Sequence, residues 1–179
     1  MHFFPDATFG WIYYGLMLTC LLALVATDLR IQRLPNALTI PMLLLGLVMN
    51  IVRGAWLGNQ NVDLRFIGIP GALGGGTQGL MEGLAGACMA FTLFVVLWQM
   101  GKCGAGDVKM MAAVGTWVGY VHFFFVFAGT IVAVLFIMLV WWSYAFATRR
   151  NPGLKLSYAI PCFISLSILM PWLWRRDLW

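Results

Sequence analysis

Two aspartates have positions that suit acid–base chemistry. Asp107 ends the sequence Gly104-Ala-Gly-Asp107 between two long apolar stretches, and Asp28 closes the first apolar stretch of the chain. A carboxylate at the edge of an apolar segment is costly, and such a residue usually has a function. Two carboxylates can hydrolyse a peptide bond, because one takes a proton from water while the other hydrogen-bonds or protonates the carbonyl oxygen. The pair predicts an aspartic protease that works at a membrane.

The composition is that of an integral membrane protein. Of the 179 residues, 62% are hydrophobic and 9% are charged, and the mean hydropathy is +0.89. Soluble domains have about 45–50% apolar and about 25% charged residues. We therefore predict an all-α fold, in which residues 1–179 form a single polytopic helix bundle in a lipid bilayer.

The apolar stretches predict about six transmembrane helices, since one crossing takes about 20 residues. One stretch is too long for a single crossing and is divided near residues 119–122, which gives a short fourth helix and a longer fifth one. The alternative is a four-span topology with a re-entrant fourth segment. The predicted helices cover residues 10–27, 37–52, 80–100, 156–174 and the two parts of 108–147.

Glycines and other small residues are concentrated around the third predicted helix. The glycine-rich stretch 53–79 is not followed by Gly-Lys-Ser/Thr, so it does not predict a phosphate-binding loop and is interpreted as a flexible connector. Residues 83–90 contain further small residues, which predict close packing with neighbouring membrane helices.

The basic residues predict the orientation. With the N-terminus outside, seven of the 11 Lys and Arg residues face the cytoplasm and the other four face out, as the positive-inside rule requires. The net charge of +5 is therefore read as a topology signal, and no nucleic-acid partner is expected. The cytoplasmic residues are Arg30, Arg33, Lys102, Lys109, Arg149, Arg150 and Lys155, and the outer ones are Arg53, Arg65, Arg175 and Arg176.

This topology leaves one acid pair on a single side of the membrane, Asp28 and Asp107. Each also has a structural interpretation, because Asp28 could pair with an arginine that follows it and Asp107 could be an ordinary helix N-cap. Gly104 and Gly106 favour catalysis, since glycine allows unusual backbone torsions and close approach of a peptide. The other acids lie in the termini, in the connector or at the outer side: Asp6, Asp63, Glu82 and Asp177.

No metal or cofactor is predicted. The two His residues are far apart, and the four Cys residues are too widely spaced for a C-x-x-C pair or a Cys/His cluster. The cysteines are interpreted as packing residues inside helices: Cys20, Cys88, Cys103 and Cys162.

The residues around both aspartates resemble motifs of the type IV prepilin peptidases. Asp28-Leu-Arg-Ile-Gln-Arg-Leu-Pro-Asn36 is similar to the first aspartate motif, and Gly104-Ala-Gly-Asp-Val-Lys-Met-Met-Ala-Ala-Val-Gly115 resembles the second, Gly-x-Gly-Asp-x-Lys followed by Ala-Ala-x-Gly. The stretch Lys155-Leu-Ser-Tyr-Ala-Ile-Pro161 is similar to a weaker motif that opens the last helix. The resemblance covers residues 26–169.

The resemblance implies that Asp28 and Asp107 are the catalytic pair of an endopeptidase without a cofactor. It also implies the substrate, a prepilin whose short basic leader is removed just before its hydrophobic N-terminal helix, at the cytoplasmic face of the bacterial inner membrane. Helix dipoles favour negative charge at the beginning of a helix, so Asp107 is the expected base by this effect alone. Arg30 and Arg33 act in the opposite direction, because a nearby cation favours the ionised form of Asp28. The supporting or substrate-binding residues are then Gly104, Gly106, Lys109, Pro35 and Asn36.

Three of the supporting residues also have a physical interpretation. Pro35 cannot continue a helix, so it separates the first two spans, and Asn36 can cap the helix that follows. Lys109 lies two residues beyond Asp107, so it does not share the helical face of the aspartate. It is interpreted as an anchor for a lipid headgroup or for the substrate.

The resemblance leaves a subtype and two alternatives to distinguish. Larger members carry a cytoplasmic domain with paired C-x-x-C motifs and N-methylate the pilin. Because no such motif occurs here, N-methyltransferase activity is not expected, and the chain resembles the short peptidases of tight-adherence (Flp) pili. One alternative is another intramembrane protease with Gly-x-Gly-Asp, of the presenilin or signal-peptide-peptidase type. The other is a non-enzymatic assembly or proton-carrying subunit, whose acids would favour mid-helix positions. No oligomeric state is predicted.

Overall fold

The computed structural model describes residues 4–31, 34–60, 71–148 and 159–177, in which all regular structure is α-helical. The first four helices are long and apolar enough to cross a membrane, whereas the apolar part of the last one, Ala159–Pro171, is shorter. The all-α membrane fold class is therefore confirmed, and the number of about six crossings stays a prediction. The helices are α1 (Ala7–Ile31), α2 (Asn36–Asn59), α3 (Gly71–Gln99), α4 (Ala105–Thr148) and α5 (Ala159–Asp177).

Helix α4 bends back on itself at Gly119. This residue has φ 67° and ψ 173°, a combination that in practice only glycine adopts. It divides α4 into a first arm, residues 105–118, and a second arm, residues 120–148. The break predicted near residues 119–122 is thus confirmed.

The first arm runs antiparallel to α3, with the two backbones in close contact. Gly119 packs on Gly86, and Gly115 lies between Gly86 and Ala90. A Cβ atom on Gly86 would be 2.8 Å from the carbonyl carbon of Gly119, and one on Gly115 would be 3.0 Å from the Cβ of Ala90. Small residues are required here, which confirms the predicted close packing of residues 83–90.

The second arm returns along the same helix. Phe94, two turns beyond Gly86 in α3, packs edge-on against Phe127, two turns beyond Gly119, with ring centroids 5.9 Å apart. The second arm is therefore parallel to α3 and antiparallel to the first arm. Residues 110–119 of α4 are all buried, whereas no residue described between 131 and 148 is. The first arm is the centre of the bundle.

Residues 53–59 and 71–79 of the glycine-rich stretch are helical, so the prediction of a flexible connector is wrong for both parts. Helix α3 begins at Gly71, and α2 continues to Asn59, beyond its predicted end. A Cβ atom on Gly75 would collide with the backbone carbonyl group of Gly54, at 2.8 Å from its carbon. This close backbone packing compensates for the low helix propensity of glycine.

Arg53, which is predicted at an outer helix end, lies inside the bundle, and Glu82 is half-buried beside it. Arg53 is 3% exposed, and its guanidinium group forms a salt bridge with the Glu82 carboxylate. The amide nitrogen of Gln78 donates a second hydrogen bond to Glu82 at 3.2 Å. At about 1.5 Å per residue, Arg53 lies about 9 Å from the end of α2. Arg53 is therefore neutralised inside the protein and is not an outer topology signal.

Several residues used in the topology argument lie outside the described residues. They are Arg33, Asp63, Arg65, Arg149, Arg150 and residues 155–158, which include Lys155.

We predict that Gly75→Ala destabilises the bundle by about 1–3 kcal/mol, because the new methyl group overlaps the backbone of α2. The matched control is Gly15→Ala in α1, where a Cβ atom meets nothing within 4 Å; it should be neutral or stabilising by up to about 1 kcal/mol. Thermal unfolding of both variants in the same detergent measures the difference. Equal melting temperatures would contradict the backbone contact.

Candidate active site

A tight turn connects α3 to the second aspartate motif. Helix α3 ends in a Schellman motif, in which Gly101 has φ 69°. Its N–H group donates to the carbonyl of Trp98, and the N–H group of Lys102 donates to the carbonyl of Leu97, both at 2.9 Å. Helix α4 begins at Ala105. The short connection fixes the beginning of the first arm against the end of α3.

Asp107 lies in the first turn of α4 and is half-buried. Its Oδ2 atom accepts a hydrogen bond from the N–H group of Gly104 at 2.9 Å, and its own N–H group donates to the Gly104 carbonyl at 3.1 Å. With Gly104 at the N-cap position and Asp107 at N3, the side-chain bond is the half of a capping box that N3 supplies; glycine has no side chain to supply the other half. The structural interpretation of Asp107 as an N-cap is therefore wrong. The helix dipole favours negative charge at its position.

Gly104 and Gly106 have close side-chain contacts and ordinary backbone torsions. Neither has a positive φ angle, so the expectation of unusual backbone torsions is wrong. A Cβ atom on Gly104 would lie 3.3 Å from Oδ2 of Asp107, and one on Gly106 would lie 3.3 Å from the Cβ of Leu34. The segment before α2 thus packs on the helical turn that carries Asp107.

The first motif spans the end of α1 and the beginning of α2. Asp28 lies in the last turn of α1 and is half-buried. Pro35 occupies the N-cap position of α2 with φ −72° and ψ 140°, and its carbonyl accepts a hydrogen bond from the N–H group of Leu38 at 3.1 Å. Pro35 therefore separates α1 from α2, as predicted.

Asn36 joins the two motifs and does not cap its own helix. The N-terminus of α2 has no side-chain cap, so that prediction is wrong. Instead, Oδ1 of Asn36 accepts a hydrogen bond from Nζ of Lys109 at 2.9 Å. The amine of Lys109 thereby tethers the first turn of α2 to the first arm of α4. A role for Lys109 in holding a headgroup or the substrate stays a prediction.

Both aspartates lie at the same end of the bundle. Phe9, near the beginning of α1, packs against Trp56, near the end of α2, with ring centroids 5.6 Å apart. The two helices are therefore antiparallel, and the end of α1 is next to the beginning of α2. Since the beginning of α2 packs on the first turn of α4, the structure brings the Asp28 and Asp107 motifs together.

The thiol of Cys103 is a neighbour that responds to the charge of Asp107. Burial raises the pKa of Cys103, and the negative charge of Asp107 raises it further. The sulfur atom contacts the carbonyl oxygen of Phe94 at 3.6 Å. Cys103 was interpreted as a packing residue within a helix, but it lies in the turn between α3 and α4.

A known protein family matches this chain over both aspartate motifs, and individual proteins match it as well. Residues 15–140 match the type IV leader peptidase family. The prepilin leader peptidase/N-methyltransferase of Legionella pneumophila is 29% identical over 171 residues, which cover 90% of this chain and 53% of that protein. The protein of the same description from Neisseria gonorrhoeae is 31% identical over 115 residues, or 62% of this chain and 35% of its own length.

The corresponding protein of Escherichia coli K12 is 34% identical over 110 residues, which cover 62% of this chain and 40% of that protein. The chain thus spans about half or less of the length of these relatives. No solved structure gave a significant match.

We predict that Asp107→Asn accelerates alkylation of Cys103. Removing the negative charge lowers the thiol pKa, so more thiolate is present at pH 8, and the rate should rise about two- to fivefold. The measurement uses a protein in which the other three cysteines are replaced by alanine. Asp6→Asn, which changes an acid at the opposite end of α1, is the control and should leave the rate unchanged. An equal rate in Asp107→Asn would contradict the electrostatic effect of Asp107 on the Cys103 thiol. The difference should vanish well above the Cys103 pKa, where both thiols are ionised.

Proposed function

The chain belongs to the type IV leader peptidase family, and on this basis we propose that it is a membrane aspartic endopeptidase that removes the leader peptide of a prepilin. The observation that carries the proposal is the contact between the two aspartate motifs, through Leu34 with Gly106 and Asn36 with Lys109. The family match includes both motifs. Curated relatives described as prepilin leader peptidases support the substrate class.

In the proposed mechanism the two carboxyl groups share the work of hydrolysis. Asp107 is the base, because the helix N-terminus favours its ionised form. It takes a proton from water as the water oxygen attacks the scissile carbonyl carbon, while Asp28 protonates the carbonyl oxygen. The tetrahedral intermediate then collapses and the C–N bond breaks. The proton held by Asp107 passes to the leaving amine, and one hydroxyl of the intermediate returns a proton to Asp28 as the new carboxyl group forms. Both side chains are half-buried, which leaves them accessible to water and to a peptide.

Glycine gives the substrate access to the proposed base. Gly104 is exposed and Gly106 is half-exposed, so the backbone beside Asp107 carries no side chain that would keep an extended peptide away. Exposed Arg30, Lys102 and Lys109 surround the same end of the bundle. Positive charge of this kind marks the cytoplasmic face, and we place the active site there, in the bacterial inner membrane.

We further propose that α4 enters and leaves the membrane from the side of the aspartates. The first arm, residues 105–118, is about 21 Å long at about 1.5 Å per residue, which is shorter than the hydrocarbon layer of about 30 Å. Gly119 lies against Glu82 in the interior of α3. These dimensions favour the re-entrant alternative over a full fourth crossing. Either topology leaves both aspartates on one side.

We also propose that the 179 residues act as a peptidase alone, like the short peptidases of Flp pili. They contain no C-x-x-C motif, whereas the description of the matched relatives includes N-methyltransferase. Mass spectrometry of the processed pilin distinguishes the activities, because methylation adds a methyl group to the new N-terminus and cleavage alone does not.

We predict that Asp28→Asn and Asp107→Asn each lower the cleavage rate of a prepilin by at least about 10²-fold, because an asparagine side chain cannot exchange the proton. In Asp107→Asn the amide oxygen can still accept the Gly104 N–H group, so the fold should persist. Cleavage is followed by the loss of the leader in proteoliposomes with purified Flp-type prepilin. The control Asp6→Asn should retain the full rate. Near-normal turnover by either active-site variant would overturn the catalytic pair.

We predict that Gly106→Val lowers kcat by about tenfold or more, because the branched side chain displaces Leu34 and shifts the turn that holds Asp107. Gly15→Val is the matched control, since its Cβ atom meets nothing within 4 Å. It introduces the same β-branched residue into a helix and should leave kcat within about twofold. Steady-state kinetics on equal amounts of folded protein provide the comparison, and equal losses would exclude a specific requirement for Gly106.

A further inference from the structure

The reversal at Gly119 ends the first arm in the buried interior, where its last carbonyl groups need donors. In a continuous helix the carbonyls of Thr116 and Trp117 would accept hydrogen bonds from the next turn, and a helix end leaves such groups to other donors. Here the side-chain amide of Asn50 donates to the Thr116 carbonyl. The hydroxyl of Tyr13 donates to the Trp117 carbonyl.

The two donors form one buried unit. Tyr13 and Asn50 are both 0% exposed, and the amide nitrogen of Asn50 also donates to the Tyr13 hydroxyl at 3.1 Å. The indole N–H group of Trp117 donates to the Met42 carbonyl of α2 at 2.9 Å, and its ring packs edge-on against that of Tyr13 with centroids 5.1 Å apart. The end of the first arm is thus held by α1 and α2 together.

These contacts link the two helices that carry the aspartates. Tyr13 is in α1, which ends with Asp28, and Trp117 is in the first arm, which begins with Asp107. The contact lies about 22 Å from Asp28 and about 15 Å from Asp107 along the helix axes. Residues 110–119 are all buried, and close packing of this kind transmits a displacement from one residue to the next. A shift at its Trp117 end therefore moves its Asp107 end.

We propose that Tyr13 and Asn50 are positioning residues, which set the height and rotation of the first arm and so the approach of Asp107 to Asp28. The proposal rests on the proposed function for its kinetic consequence. Its structural part, the placement of the Asp107 turn against the beginning of α2, is independent of any activity.

The chain offers a matched control in the next residue. Tyr14 lies in the same helix, and its hydroxyl donates to the Ser167 carbonyl of α5 at 3.0 Å. Tyr14→Phe removes the same kind of hydrogen bond, but to a helix that carries neither aspartate. A general effect of losing a tyrosine hydroxyl would therefore appear in both Tyr13→Phe and Tyr14→Phe, whereas a positioning effect appears only in Tyr13→Phe.

We predict that Tyr13→Phe and Asn50→Ala lower kcat for prepilin cleavage by about tenfold or more, as displacement of a catalytic group does. KM of both variants should stay within about twofold of the wild-type value. In the control Tyr14→Phe, kcat and KM should both stay within about twofold of wild type. The rates are normalised to folded protein, so a purely structural role would reduce the yield and leave kcat unchanged. That outcome, or the failure of both variants to fold, would overturn the proposal.

A cross-link tests the placement without activity. The Cβ of Leu34 and a Cβ built on Gly106 are 3.3 Å apart, close to disulfide geometry. The Leu34→Cys and Gly106→Cys pair, in a protein without native cysteines, should therefore oxidise readily. Tyr13→Phe should lower the oxidation rate at least about threefold, and Tyr14→Phe should not change it. If the wild-type protein cleaves no prepilin, the proposed function is wrong. The oxidation rate of the cysteine pair still tests whether Tyr13 positions the turn that carries Asp107. An unchanged rate in Tyr13→Phe overturns the positioning role.

Discussion

The reversal of α4 at Gly119, inside an apolar bundle, is the constraint on which the other features depend. At the reversal the backbone of the first arm comes very close to that of α3, and the contact of Gly86 with Gly115 leaves no room for side chains there. A helix end away from water also needs hydrogen-bond donors from side chains. Polar residues in the middle of otherwise apolar helices, Tyr13 and Asn50, provide them. The turn therefore accounts for two residues that are unusual within a membrane helix, Tyr13 and Asn50.

The other end of the first arm is built differently, from short connections and exposed polar groups. The Schellman motif at Gly101 and the reciprocal bonds between Gly104 and Asp107 satisfy the backbone locally. Asn36 and Lys109 complete the junction from α2. The arm is thus fixed in a dry interior at one end and presents a carboxylate to water at the other. This division suits the proposed role of Asp107 as a base that is held in place and still accessible to a peptide.

Local patterns in the sequence predicted the apolar helices, the break near Gly119 and the separation of α1 from α2 at Pro35. These features follow from residue type and spacing within a few turns. The main errors concern partners far away in the chain. Helix formation from Gly71 depends on the backbone of Gly54 and Gly58, and the burial of Arg53 depends on Glu82, 29 residues later. Similarly, the side chain of Asn36 accepts a hydrogen bond from Lys109, which is 73 residues away. Asn36 makes this contact and does not cap its own helix. Polar residues within apolar stretches were the signal that could have identified Tyr13 and Asn50.

The glycine interface between α2 and α3 has a consequence for the register of the two helices. Its glycines recur every four residues, at 54 and 58 in α2 and at 71, 75 and 79 in α3, and Gly83 continues the series. If α3 slid by one turn, Gly54 would face Gly79 and Gly83, and the backbones would still fit. Steric fit alone therefore does not distinguish the two alignments. The salt bridge between Arg53 and Glu82 does, because a slip of about 5.4 Å would separate the charges in a medium where an unpaired charge is very costly.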